Sequence, residues 1–214
     1  MPVYSDGQKV RSDEWARLIE SIPASYSLWK DGSTYYAECL IKGGTDYSDE
    51  DAATVIQNAL DALDPVADGE TKIIDGNGYT YEISTTISLP SNIYLRNFKF
   101  KLADSANTDV IKSKNFDSLT GQNKWYVDTD GVPYNFGLIN VHIDGNKSNQ
   151  TTGDGIKFYG KRYIMDTVMI QNVYGVAFYS ECGDATGQHD WRDMPETIVR
   201  NIHIYAPGSH GVQW

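Results

Sequence analysis

The residues of this chain best equipped for acid–base chemistry are Asp144, Asp154 and His210. Asp144 stands in Asp144-Gly145-Asn146, Asp154 between Gly153 and Gly155, and His210 in Gly208-Ser209-His210-Gly211. Carboxylates and an imidazole facing one groove could move protons on a polymer substrate. Asp166 is a further acid, and Lys157 and Arg200 are possible bases or clamps for a charged substrate. The same phrases are also turn chemistry, because an Asp beside Gly bonds its own backbone and a His between glycines suits a tight corner. A second set is suited to binding. Trp125, Tyr126, Tyr134 and Trp191 are the candidate glycan-binding residues, since amphipathic rings serve as stacking platforms for sugars. Aromatic residues also fill β-structure for packing alone.

The elements that must hold these residues are announced by a phrase that returns four times. It reads Asn97-Phe98-Lys99-Phe100, Asn140-Val141-His142-Ile143, Thr167-Val168-Met169-Ile170 and Asn201-Ile202-His203-Ile204. After each copy comes a second short apolar segment: Val110-Ile111, Gly155 to Phe158, Gly175 to Phe178 and Gly211 to Trp214. The copies are 43, 27 and 34 residues apart, so the strands recur while the loops absorb insertions. That is the grammar of a parallel β-solenoid, whose coils bury their apolar faces only against neighbours. In such a stack His142 and His203, the variable middles of their triplets, point outward. Asn97, Asn140 and Asn201 share one position, where a side-chain amide can bond the backbone at a bend and stack on its counterpart. Two stretches, Ser113 to Asn135 and Cys182 to Glu196, break the coil count and read as long loops on one side of the stack. They contain all four candidate rings.

Ahead of the solenoid, residues 12–22 predict a short helix with Ser12 as N-cap, and residues 25–39 a hairpin around Lys30-Asp31-Gly32-Ser33. Together they suggest an N-terminal attachment module over residues 1–44. Residues 48–63 predict an amphipathic helix, with Ser48 as N-cap and Val55, Ile56, Ala59, Leu60 and Leu63 on one face. Its position suits it to cover the open edge of the first coil. The solenoid itself spans 45–214.

Composition narrows the partners. Formal net charge is −11, which repels nucleic acid and anionic membrane surfaces. No run approaches the roughly 18 apolar residues of a membrane span, so membrane insertion is not expected. Cys39 and Cys182 read as free thiols, and two cysteines make no metal spacing. No cofactor is called for. The sequons at Asn146 and Asn149 read as turn composition. The start, Met1 to Gly7, lacks the pattern of a signal peptide, which suggests release by lysis or incorporation into a particle. Trp214 falls at the end of a strand, so further coils are expected to follow.

Three stretches carry a resemblance: Asp46 to Leu60, Tyr81 to Ile93 with its Leu89-Pro90-Ser91-Asn92 turn, and Ile143 to Thr151. In these the chain resembles the pectin-lyase-like right-handed parallel β-helix superfamily, particularly its virion-associated and archaeal surface members. The resemblance implies an all-β fold, a right-handed parallel β-helix capped by an N-terminal helix. Lyases of this superfamily use clustered carboxylates with a base, and hydrolases use paired aspartates with a histidine. The Gly208-Ser209-His210-Gly211 turn is similar to the His turn of the hydrolases, but Tyr174 to Tyr179 one coil earlier holds no carboxylate. The leading expectation is therefore a virion protein, a tail-fibre or tailspike-like subunit. It attaches to other virion proteins through residues 1–44 and presents its β-helix to a host surface polysaccharide, as a homotrimer like its relatives. The alternative is a polysaccharide lyase or glycoside hydrolase using Asp144, Asp154 and His210.

Overall fold

The computed structural model describes residues 18–66, 70–119, 131–181 and 197–213. Each coil consists of a long strand in one sheet and a short strand in another. The first coil splits its long strand into β4 (Lys72–Asp75) and β5 (Thr80–Ile83), followed by β6 (Ile87–Leu89). The later coils pair β7 (Ile93–Leu102) with β8 (Ile111–Ser113), β9 (Gly137–Asp144) with β10 (Ile156–Tyr159), β11 (Ile164–Gln171) with β12 (Phe178–Glu181), and β13 (Ile198–Tyr205) with β14 (Val212–Gln213). The short strands form a five-stranded parallel sheet in the order β14-β12-β10-β8-β6, and the long strands stack in parallel as β13-β11-β9-β7-β4. The chain is a right-handed parallel β-helix. The repeated phrases align residue for residue: Phe98 pairs with Val141, Val141 with Val168, and Val168 with Ile202. Unequal loops thus leave the register untouched, because a slip of one residue would turn each apolar row outward.

A single left-handed residue bends each long strand. Asn97, Asn140, Thr167 and Asn201 have φ of 59°, 53°, 57° and 53°. Asparagine tolerates this region better than other residues with a Cβ. The Asn140 amide donates to Asn97 Oδ1 at 2.7 Å, the Asn97 amide donates to both oxygens of Asp75 at 3.1 and 3.2 Å, and the Asn201 amide donates to Asp166 Oδ1 at 2.9 Å. Thr167 interrupts the amide row. Beyond the bend, Phe98, Val141 and Val168, then Phe100, Ile143 and Ile170, point into the core as successive layers. Burying each such side chain contributes about 1.5–3 kcal/mol.

The front of the stack is closed in two ways. A helix over Ala52–Leu63 packs with Val55, Ile56, Ala59 and Leu60 buried, and its N-cap is Asp51, whose carboxylate accepts from the amides of Ala53 and Thr54. The expected start at Ser48 is displaced because Tyr47–Asp49 forms β3, where Ser48 pairs with Tyr36. Ser48, Asp49 and Asp51 are all capping residue types, and strand pairing claims the first two. From this helix Gln57 reaches edge strand β6: its Oε1 accepts from Ser88 N at 3.0 Å and its Nε2 donates to Ser88 O at 3.3 Å. One side-chain amide thus substitutes for a missing strand. On the other sheet the hairpin of β1 (Tyr26–Asp31) and β2 (Thr34–Cys39) does the covering, with β1 parallel to β4. Tyr26, Leu28, Tyr35 and Ala37 share one apolar core with the coils, so the boundary expected near residue 44 lies inside one continuous sheet. Of the expected helix over 12–22, residues 12–17 lie outside the described residues, 18–20 are helical, and Ile19 and Ile22 pack on the outward side of the long strands against Ile73, Tyr94, Ile139 and Ile164.

Candidate functional site

Both long insertions connect a short strand to the next long strand, β8 to β9 and β12 to β13. Residues 120–130 and 182–196, with Trp125, Tyr126 and Trp191, lie outside the described residues, whereas Tyr134 stands at the corner leading into β9. Tyr134 bridges to Lys161 of the next coil, its N donates to Ser91 Oγ at 3.2 Å, and its carbonyl accepts from Asn92 N at 3.0 Å. Asn92 and Asn135 take left-handed φ of 61° and 52° here, and the Asn135 amide donates to Asn92 Oδ1 at 2.9 Å. The stacked turns leave an open cleft of about 350 Å³ lined by Tyr134, Ser91, Asn115, Val132, Lys114 and Asp64, among others. Lys114 and Asp64 form an ion pair.

Beside the cleft, the outward face of the short-strand sheet carries Lys112, Lys157 and Tyr179 in one row across β8, β10 and β12. Their carboxylate partners make an alternating chain. Asp117 meets Lys112 at 3.1 Å, Lys112 meets Asp109 at 3.0 Å, Lys157 meets Asp109 at 3.4 Å, and Lys157 meets Asp154 at 2.8 Å. Burial alone would lower the pKa of both lysines. For Lys112 the hydrogen bonds to Asp109 and Asp117, and for Lys157 the bond to Asp154 with the charges of Asp109 and Asp154, outweigh it and raise the pKa. Both therefore stay cationic near neutral pH, so they offer fixed charge and hydrogen bonds rather than a base. The Lys157 ammonium lies 5.9 Å from the centre of the Phe116 ring, and Phe116 meets Tyr179 edge-on at 5.9 Å. Phe116, Val132 and Tyr159 are buried together, joining this face to the cleft.

Sequence reasoning passed over Asp109, Lys112 and Phe116. A signal was present: Asp109-Val110-Ile111-Lys112 and Asp154-Gly155-Ile156-Lys157 repeat the same Asp-x-Ile-Lys phrase. The two copies sit on adjacent coils, with Asp154 N donating to Asp109 Oδ1 at 2.7 Å.

The structure places the sequence-derived acids apart. Asp144 ends β9, where it accepts from its own turn at Asn146 N (2.9 Å) and from Gln171 Nε2 (3.2 Å). Asp154 spends one oxygen on Val176 N at 2.6 Å and the other on Lys157. Gly175 is required for that fit, since a Cβ there would meet Asp154 Oδ1 at 2.1 Å. His210 is exposed, bonded through Nδ1 to Ser209 Oγ at 2.8 Å. It shares a corner with Asp154 through the contacts Gly175 N to Gly153 O and Ser209 N to Gly175 O, two coils away or about 9–10 Å along the stack. Asp166 belongs to the long-strand sheet, buried against Arg200 at 2.6 Å. Burial works to raise its pKa, but hydrogen bonds from Arg200 and Asn201 and the Arg200 charge prevail and hold the carboxyl below its ordinary range. His142 and His203 point outward in the row Lys99, His142, Met169, His203. Among the described residues no group of three or more His, Cys, Asp or Glu could hold a metal ion, and no helix is long and apolar enough to cross a membrane.

No family model matches the chain, and no curated protein matches it. Among solved structures it is similar to the A-modules of two Azotobacter vinelandii mannuronan C-5 epimerases, AlgE6 at 20% identity and AlgE4 at 19%, each with a TM-score of 0.45. Each match covers 61% of this chain and 37% of the other, so this chain spans well under half the length of those structures. Likeness of this degree carries no chemistry across, and the fold rests on the strand pairing itself.

Proposed function

We propose that the chain is a glycan-recognising β-helix that binds polysaccharide at the corner formed by the Tyr134 cleft and the Lys112–Lys157–Tyr179 row. The observation that carries this reading is the meeting of two things at one corner: a ring beside a cleft, and a rigid row of hydrogen-bonding charges. Sugar rings stack their C–H faces on aromatic side chains and direct hydroxyls to charged and amide groups. A lyase or hydrolase has less support, because Asp144, Asp154 and His210 each bond to a different local partner and the lysines of the face remain protonated.

The setting proposed for this binding is a virion tail fibre or tailspike-like subunit, attached through residues 1–44 and acting on a host surface polysaccharide. A homotrimer would join three such corners and gain retention by avidity. On an array of surface polysaccharides the chain is expected to bind at least one, with Tyr134→Ala and Lys157→Ala each weakening it. Binding that survives both substitutions removes the site from this corner. Light scattering tests the trimer, and labelling of particles with an antibody to residues 1–44 tests the attachment.

A further inference from the structure

The lysines of the proposed corner are matched by acids already in place. Lys112 touches Asp109 and Asp117, Lys157 touches Asp109 and Asp154, and Lys114 touches Asp64. These three lysines therefore share four carboxylates, in a chain whose net charge is −11. Asp109 and Asp154 are largely buried, with side chains 10% and 19% exposed, and Asp109 also accepts from Asp154 N while Asp154 accepts from Val176 N. They cannot swing away to make room for another anion. A carboxylated sugar arriving here would meet ammonium groups whose charge is already cancelled at contact distance, and would face the repulsion of Asp117, which is 77% exposed.

Resting on the glycan-binding reading above, we infer that this corner takes an uncharged, hydroxyl-rich polysaccharide and discriminates against carboxylated ones. Sugar hydroxyls both donate and accept, so they can bridge a fixed Lys–Asp pair without breaking it, donating to the carboxylate and accepting from the ammonium. Asp117, Asn115 and Ser91 supply further polar groups, and Tyr134 a stacking surface. The charged row acts as a rigid hydrogen-bond template whose net charge turns anions away.

The test is affinity electrophoresis of the full chain in gels holding dextran, mannan or galactan, set against gels holding alginate or polygalacturonate, at low and raised NaCl. Retardation is expected in at least one neutral gel, unchanged by salt, with none in the acidic gels. Retardation by alginate or polygalacturonate that weakens with salt overturns the inference while leaving glycan binding intact. Migration unaffected by every polymer overturns both. A second arm uses Asp117→Asn, which removes the exposed partner of Lys112 and is expected to produce a measurable retardation on alginate, where the parent chain shows none. No change in that variant overturns the charge-cancellation argument whatever the neutral gels show.

Discussion

The outward faces of the two sheets both carry ion pairs, as separate Arg–Asp pairs on the long strands and as a continuous Lys–Asp chain on the short ones. On the long strands, Arg96 meets Asp75 at 2.7 Å and Arg200 meets Asp166 at 2.6 Å, with the carboxylates only 11% and 5% exposed. Arg96 also donates through Nη1 to the carbonyls of Glu20 and Ile22, so the N-terminal residues fasten themselves over this face. On the short strands the cations are lysines, and the row ends in an Asp117 open to water. Guanidinium forks suit a buried, fixed pairing, whereas ammonium groups on flexible stems suit a surface that stays wet. Among the described residues, one stack of coils thus makes a covered structural face and an open face, the one proposed here to bind glycan, and the presence of a cover separates them.

The largest effect should come from the covered side. Asp166→Ala leaves Arg200 facing a desolvated gap and is expected to cost about 3 kcal/mol in urea unfolding. The folded carboxyl titrates below its unfolded value of about 3.9, so its stabilisation is complete above that pH and fades as pH falls through the lower folded value. In Asp166→Asn that acid-side loss of stability should shrink. Next in size, Tyr134→Ala on the open side should weaken polysaccharide retention about tenfold, the worth of one stacked ring, with the unfolding midpoint nearly unmoved. Thr167→Asn should stabilise the fold by about 1 kcal/mol, because a β-branched residue at φ 57° gives way to one that tolerates it and can extend the amide row. Smallest of all, Lys112→Met should change stability by less than about 1 kcal/mol, because Asp109 keeps Lys157 as a partner and Asp117 is open to water. A loss equal to that of Asp166→Ala would erase the distinction between the faces.

Much of the stack was legible in the residues. The phrase beginning at Asn97, Asn140, Thr167 and Asn201 recurs at the same register position on four adjacent strands, because alternating apolar triplets have only one way to keep their rows buried. The asparagine at the head of the phrase marked the bend for a local reason, its tolerance of positive φ. The site was less legible. Asp144 and Asp154 stood out as acids beside glycine, yet their oxygens bond to nearby turns and to Lys157, and the spacing of 45 residues between Asp109 and Asp154 hid the repeated Asp-x-Ile-Lys phrase.

Sequence alone determined the repeating unit, its strand pattern, its bends and the amphipathic helix at the front, since each depends on residues a few positions apart. Tertiary structure decided that Ser48 joins a strand instead of capping the helix, that Gln57 closes the edge of β6, and that the hairpin extends the long-strand sheet. It also decided which charged row is roofed and which is open. Those outcomes depend on which surfaces meet across dozens of residues, and no local preference encodes that meeting.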